Sequence, residues 1–267
     1  MVSTGPPSEI SPASRIVGAF FGTCATYRNI LPRPIAGAFF LNASPVTIVF
    51  AITALAISSS IGLAADCPTP PPNHIPAAPT SELNIDSIKS LLLEYHQNYY
   101  DLDVEVVFET VQNYLQRNAG LSKRPAVVLD IDETALTNWP NLIADNLGFI
   151  EAGSCDTLPA GPCGFNQWIL KASAKAVDPA VKLFKDAIAN GIAVIFITAR
   201  RDQQRDATVL NLDHAGFAGW TELRTRPDRD DLPTVQAFKT AERIKVEAEG
   251  YTIIANVGDQ AAMFFFK

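Results

Sequence analysis

The sequence predicts an α/β domain with a doubly wound parallel sheet, and three observations carry that reading. Residues 126–129, 192–197 and 251–257 are predominantly apolar runs of strand length, the pattern of strands buried on both faces. Each run delivers a polar residue at its carboxyl end: Asp130, Thr198 and Asp259. Between the runs lie stretches with apolar residues at three- and four-residue spacing, several of them closed by glycine. Helices alternating with buried strands specify a parallel sheet covered on both sides.

Taken in order, the chain opens with residues 1–33, where Pro6, Pro7, Pro12 and Pro32 interrupt any helix. No charged residue occurs from Pro34 to Ala65, and the most apolar part, 46–63, follows Arg28 and Arg33 and ends in small residues. Residues 1–65 therefore read as a signal peptide or a membrane anchor acting through 46–65. About 20 residues at roughly 1.5 Å each just span a hydrocarbon core, so length does not choose between the two. Asp66 before Cys67 argues against a lipid anchor. The expected localisation is export, periplasmic or secreted, with an uncleaved anchor as the alternative. Residues 66–80 form a Pro-rich linker.

Residues 81–267 are the expected α/β domain. Ser81 or Asn84 opens a first helix through Tyr95, and a second runs over 104–117, with Val107, Phe108, Val111 and Leu115 on one face. These two form an N-terminal helical extension packed on the sheet. Pro125 opens the first strand. After Asn138 the chain loses periodicity until about Ala176, which predicts a small cap insertion over about 139–176. Cys155 and Cys163 flank a Gly/Pro turn inside it and suit a disulfide in an exported protein, the alternatives being two free thiols or a weak metal pair. Further helices are expected over 179–190, 203–214 and 235–249, with a short strand over 222–224; Gly191 and Gly250 end the first and last helices.

Formal net charge is −7, and residues 1–65 hold three Arg against one Glu, leaving an acidic remainder. Without a basic stripe, binding to a nucleic-acid polymer is not expected. A phosphate-bearing small molecule would need a metal ion or specific cations, because the overall field repels it.

Asp130 and Asp132 are the central candidates. Paired carboxylates repel and raise each other's pKa, and they are tolerated where they hold a cation or do acid/base work. The plain alternative is a strand-end turn residue followed by a helix cap. Thr198, Asp259 and Lys239, the last within the 235–249 helix, complete the set expected at the carboxyl rim of the sheet.

In chain order, Val128-Leu129-Asp130-Ile131-Asp132-Glu133-Thr134, Phe196-Ile197-Thr198-Ala199-Arg200, Arg205-Asp206-Ala207-Thr208, Phe238-Lys239-Thr240 and Gly258-Asp259-Gln260 resemble the haloacid dehalogenase superfamily. Within it the chain is similar to the secreted acid phosphatases of the class B, class C and plant vegetative-storage-protein kind, subfamily IIIB. The resemblance implies a Rossmann-like fold and hydrolysis of small phosphomonoesters. It implies Asp130 as nucleophile, Asp132 as general acid and base, Thr198 on a phosphoryl oxygen and Lys239 as charge neutraliser. It also implies Mg2+ held by Asp130, Asp259 and the backbone carbonyl of Asp132. Arg200 and Arg201 could contact substrate or cap the sheet; Trp139, Phe149 and Trp168 could be cap core or substrate wall. His74, His96 and His214 lie outside the motifs, which sets aside a phosphohistidine route. One departure stands out: Met263 occupies the second acid of a Gly-Asp-Gln-x-Ser-Asp pattern, and the chain stops at Lys267. That leaves a truncated gene end, or a weak or inactive storage or binding protein on the same fold, as alternatives to the hydrolase. Phosphotransfer to an alcohol is a third reading.

Overall fold

The computed structural model describes residues 84–229 and 231–260. The chain runs through α1 (Ile85–Asn98), α2 (Tyr100–Asn118), β1 (Pro125–Leu129), β2 (Leu136–Thr137), α3 (Trp139–Ala144), α4 (Phe165–Leu170) and β3 (Lys175–Ala176). It continues through α5 (Asp178–Ala189), β4 (Ala193–Arg201), α6 (Arg205–His214), β5 (Glu222–Arg226), α7 (Val235–Ala248) and β6 (Thr252–Val257). Four strands form a parallel sheet in the order β5-β4-β1-β6.

The apolar runs are continuous because both faces are covered. Val127, Leu129, Val194 and Phe196 share one core cluster with Phe108, Val111 and Leu115 of α2 and Leu183, Phe184 and Ala187 of α5. Their neighbours Ala126, Val128, Ile195 and Ile197 pack on the other face with Phe238 and Val246 of α7. Side chains alternate between faces along a strand, so double coverage demands an apolar residue at every position. The edge strand β5 alternates instead, burying Leu223 and Thr225. From β1 the chain moves outward to β4 and β5, then crosses back to β6 on the opposite side of β1. The strand order thus reverses beside β1, and the crevice for a ligand opens there, at the carboxyl ends of β1 and β6.

The expected helices form with their expected stops. Asn84 caps α1 by accepting from the Ser87 amide at 2.8 Å. Gly191 and Gly250, at φ +71° and +91°, end α5 and α7 in the left-handed region that glycine enters without penalty. One boundary differs: α2 starts at Tyr100, not near Val104. Tyr100 and Asp103 are both buried, and the Tyr95 hydroxyl donates to Asp103 Oδ2 at 2.9 Å. A polar residue on the inward face breaks the apolar spacing that would have marked this turn.

Residues 138–176 are ordered without periodicity. β2 and β3 pair antiparallel at the neck, and Cys155 and Cys163 form a disulfide. Buried carboxamides do the rest. Asn141 Nδ2 donates to the Cys163 carbonyl at 2.5 Å, and Asn211 of α6 makes two bonds to the Ala174 backbone, at 2.7 and 3.1 Å. The expected signal or anchor segment and the Pro-rich linker lie outside the described residues, as does Met263. Among the described residues, no helix is long and apolar enough to cross a membrane.

Candidate active site

The site begins where β1 ends. The Asp130 amide still donates to the Val257 carbonyl at 2.9 Å, one residue beyond the strand. The chain then folds sharply. Asp130 Oδ1 accepts from the Ile131 amide at 2.8 Å, while the amides of Thr134, Ala135 and Leu136 converge on the Ile131 carbonyl at 3.2, 2.9 and 2.8 Å. Glu133 takes φ +52° to close this turn. Asp130 and Asp132 therefore present their carboxyls from a turn and not from an extended strand.

Asp130 Oδ2 accepts from Lys239 Nζ at 2.5 Å, with both side chains almost wholly buried. Asp132 is gripped from two sides. Arg200 donates to it from Nη2 at 2.7 Å and from Nε at 3.1 Å, and Asn138 Nδ2 donates at 3.0 Å. Thr198 lies inside β4, which runs on to Arg201, yet it is two residues past Phe196, the last partner of β1. Its Oγ1 accepts from the Arg200 amide at 3.1 Å, so its own proton remains to be donated. Asp259 follows β6 by two residues, and its Oδ1 is buried without a hydrogen-bond donor. The two arginines part company: Arg200 is 3% exposed and grips Asp132, while Arg201 donates to the Pro227 carbonyl.

Four acids, Asp130, Asp132, Glu133 and Asp259, share this place with two cations, Lys239 and Arg200, and the imbalance shows in their ionisation. Burial pushes the Asp130 carboxyl up, and the Lys239 ammonium offsets this only in part. Burial also pushes on Asp132, but the Arg200 guanidinium and Asn138 outweigh it and hold that carboxyl below its ordinary value. Glu133 is pushed up to about 7 by burial and by Asp132. Asp259 is pushed up to about 8 by burial, then by the charges of Asp130 and Glu133. An acid oxygen without a donor, among carboxyls in charge excess, is the environment a hard divalent cation relieves. No group of three or more His, Cys, Asp or Glu among the described residues is arranged to hold an ion by itself. The expected donor set asks less of the side chains: two carboxylates, with a backbone carbonyl, phosphate and water completing it.

A family model described as HAD superfamily, subfamily IIIB (Acid phosphatase) matches residues 76–265. The chain belongs to this family. It is 28% identical over 162 residues to Acid phosphatase 1 of Solanum lycopersicum, covering 60% of each chain. It is 28% identical over 166 residues to the Stem 28 kDa glycoprotein of Glycine max, covering 62% of each, and 24% identical over 197 residues to Vegetative storage protein 2 of Arabidopsis thaliana, covering 71% of each. The match to the first of these curated relatives thus spans 60% of its length. Among solved structures it is similar in fold to the class C acid phosphatase from Bacillus anthracis with tungstate bound, at 22% identity and a TM-score of 0.52, covering 68% of this chain and 73% of that one.

Subfamily IIIB membership accounts for the ordered motifs, and the structure adds residues that the motifs did not reveal. Glu133 sits in the Asp-Ile-Asp-Glu-Thr pentad, but its positive φ and partly buried carboxyl are not visible in a string of letters. Tyr100 reaches the site from the N-terminal helices: burial raises its hydroxyl pKa, and the charges of Glu133 and Asp259 raise it further. His96, outside every motif, stacks on Trp139 with ring centroids 3.5 Å apart. Trp168 is core, 3% exposed, whereas Phe149 is exposed and leans on Phe165.

Proposed function

We propose that this chain is a Mg2+-dependent acid phosphatase that hydrolyses small phosphomonoesters through a phosphorylated Asp130. The observation that carries the reading is the buried contact of Asp130 with Lys239, beside Asp132 and Asp259, at the switch point of the sheet. Phosphomonoester hydrolysis has one of the highest uncatalysed barriers, so nucleophile, charge neutralisation and proton donor must act together.

In the first half-reaction an Asp130 carboxylate oxygen bonds to phosphorus as the bond from phosphorus to the leaving alcohol oxygen breaks. Asp132 gives its proton to that oxygen. In the second, Asp132 takes a proton from the water that attacks phosphorus, releasing inorganic phosphate and restoring the Asp130 carboxylate. Lys239 neutralises charge on the nucleophile and the phosphoryl group, and the Thr198 hydroxyl donates to a phosphoryl oxygen. Asp130, Asp259 and the backbone carbonyl of Asp132 would hold Mg2+, which would supply the remaining positive charge. The Arg200 fork favours ionised Asp132, which suits the second half-reaction and opposes the first; an acidic working range offsets the opposition.

The test is hydrolysis of p-nitrophenyl phosphate. Turnover is expected to vanish with EDTA, return with Mg2+, and be absent in Asp130→Asn. Undiminished turnover in that variant would overturn the mechanism. A second reading, a non-catalytic storage or binding protein on the same fold, is favoured by Met263 and by relatives named as storage and stem glycoproteins; measurable Mg2+-restored turnover removes it. Phosphotransfer uses the same phosphorylated Asp130 and is told apart by product analysis with added glycerol. We read residues 1–65 as an export signal or, through 46–65, an anchor, residues 66–80 as the linker and about 139–176 as the cap; N-terminal sequencing of exported protein tests the first.

A further inference from the structure

The insertion carries a buried polar chain that ends on the acid/base residue. Trp168 on α4 donates from Nε1 to Asn138 Oδ1 at 2.8 Å. Asn138 is fully buried and donates from Nδ2 to Asp132 Oδ1 at 3.0 Å and to Glu133 Oε2 at 2.8 Å. Its backbone amide donates to Glu133 Oε1 at 2.6 Å. An indole N–H can only donate, and an ionised carboxylate can only accept. These two facts fix the carboxamide: its oxygen meets Trp168, so its NH2 faces the acids.

α4 is itself held in place. Its Asn166 accepts from Gln204 Nε2 at 2.9 Å, a side chain three residues past the end of β4. The Phe165 amide donates to the Ile150 carbonyl at 2.7 Å, two residues past the disulfide-bonded Cys163. Asp132 is therefore clamped by Arg200 from the sheet and by Asn138 on behalf of the insertion. Neither Asn138 nor Trp168 has a part in bond making.

We propose that Trp168 is a positioning residue which, through Asn138, sets the Asp132 carboxyl for proton transfer to the leaving oxygen. The proposal rests on the phosphatase reading, in which Asp132 is the proton donor. A misplaced donor harms substrates unequally. p-Nitrophenolate departs without a proton, whereas an alkoxide needs one.

The experiment measures kcat/KM for p-nitrophenyl phosphate and for glycerol phosphate in wild type, Trp168→Phe and Asn138→Ser. Phe keeps an aromatic ring in the core and deletes the donor; Ser keeps the backbone amide on Glu133 and deletes the carboxamide. The glycerol phosphate value is expected to fall by about 10-fold or more, toward the roughly 100-fold that a 1 Å misplacement can cost. The p-nitrophenyl phosphate value should change far less. A smaller folded fraction lowers both alike, so an unchanged ratio of the two in Asn138→Ser, and in Trp168→Phe where it folds, would overturn the proposal. The contact is also readable without turnover. The chain has 3 Trp, and the indole 1H–15N signal lost in Trp168→Phe is expected to move in Asn138→Ser; an unmoved signal would also count against the proposal. Absence of turnover in wild type would overturn the phosphatase reading itself, whereas an active wild type with unmoved ratios would overturn only the positioning role.

Discussion

Asp259→Asn in the metal-free protein probes the charge excess of the site directly. The Asp259 carboxyl is pushed up to about 8 by burial and by its acidic neighbours, while the unfolded chain holds it near the ordinary Asp value of about 4. Between those limits the folded chain binds more protons than the unfolded one, so stability falls as pH rises. It is fully present below about pH 4 and lost progressively up to about pH 8. The largest slope from one such group is about 1.4 kcal/mol per pH unit. Asp259 keeps some contact with solvent, and a discount for screening leaves about 1–2 kcal/mol between pH 5 and pH 7. Asparagine cannot ionise, so the variant lacks this loss. Urea denaturation of EDTA-treated protein at pH 5, 6 and 7 should show Asp259→Asn gaining on wild type by that amount. Added Mg2+ should then reverse the order, since an ion at 100 times its Kd stabilises the wild type by about 2.7 kcal/mol and the variant would lack one of the proposed ligands. A stability difference independent of pH across this range would refute the reasoning.

Lys239→Met leaves Asp130 buried beside like charges and is expected to cost about 3–5 kcal/mol as well as turnover; the double variant with Asp130→Asn should recover much of that stability in the same urea titration. Arg200→Gln removes the cation that holds Asp132 below its ordinary pKa, so burial is left to push that carboxyl up. If Asp132 is the proton donor of the proposed mechanism, the limb of the pH–rate profile that reports its protonated form should move to higher pH by about 1–3 units, with a lower kcat. Met263→Asp restores the second acid of the Gly-Asp-Gln-x-Ser-Asp pattern and should strengthen Mg2+ dependence, by the roughly 10–100-fold that outer-shell partners contribute to affinity or activity, read from activity against Mg2+ concentration.

How much of this was legible in the sequence varies from residue to residue. The run 126–129 is short, rich in valine and bounded by Pro125 and Asp130, which marks it as a strand buried on both faces and not as a buried helix turn. The acids at its end followed from the register of a parallel sheet. Thr198, expected at a strand end, lies within β4, because that strand continues past its pairing with β1 alongside β5. Arg200 and Arg201 could not be separated by composition. Strand alternation sends one to Asp132 and the other to the Pro227 carbonyl. The insertion was opaque for a physical reason: Asn138, Asn141 and Asn211 order it through specific hydrogen bonds, which leave no period to count. Tyr100 was hidden likewise, since the turn that carries it is fixed by the Tyr95–Asp103 bond and not by an apolar stripe.

The most direct measurement is a rapid-quench experiment with 32P-labelled phosphomonoester, acid-trapped and followed by peptide mapping. Label is expected on the peptide holding Asp130 when Mg2+ is present, to be lost with EDTA, and to be absent in Asp130→Asn. Turnover without a labelled protein, or label on a peptide elsewhere in the chain, would contradict the role given to Asp130.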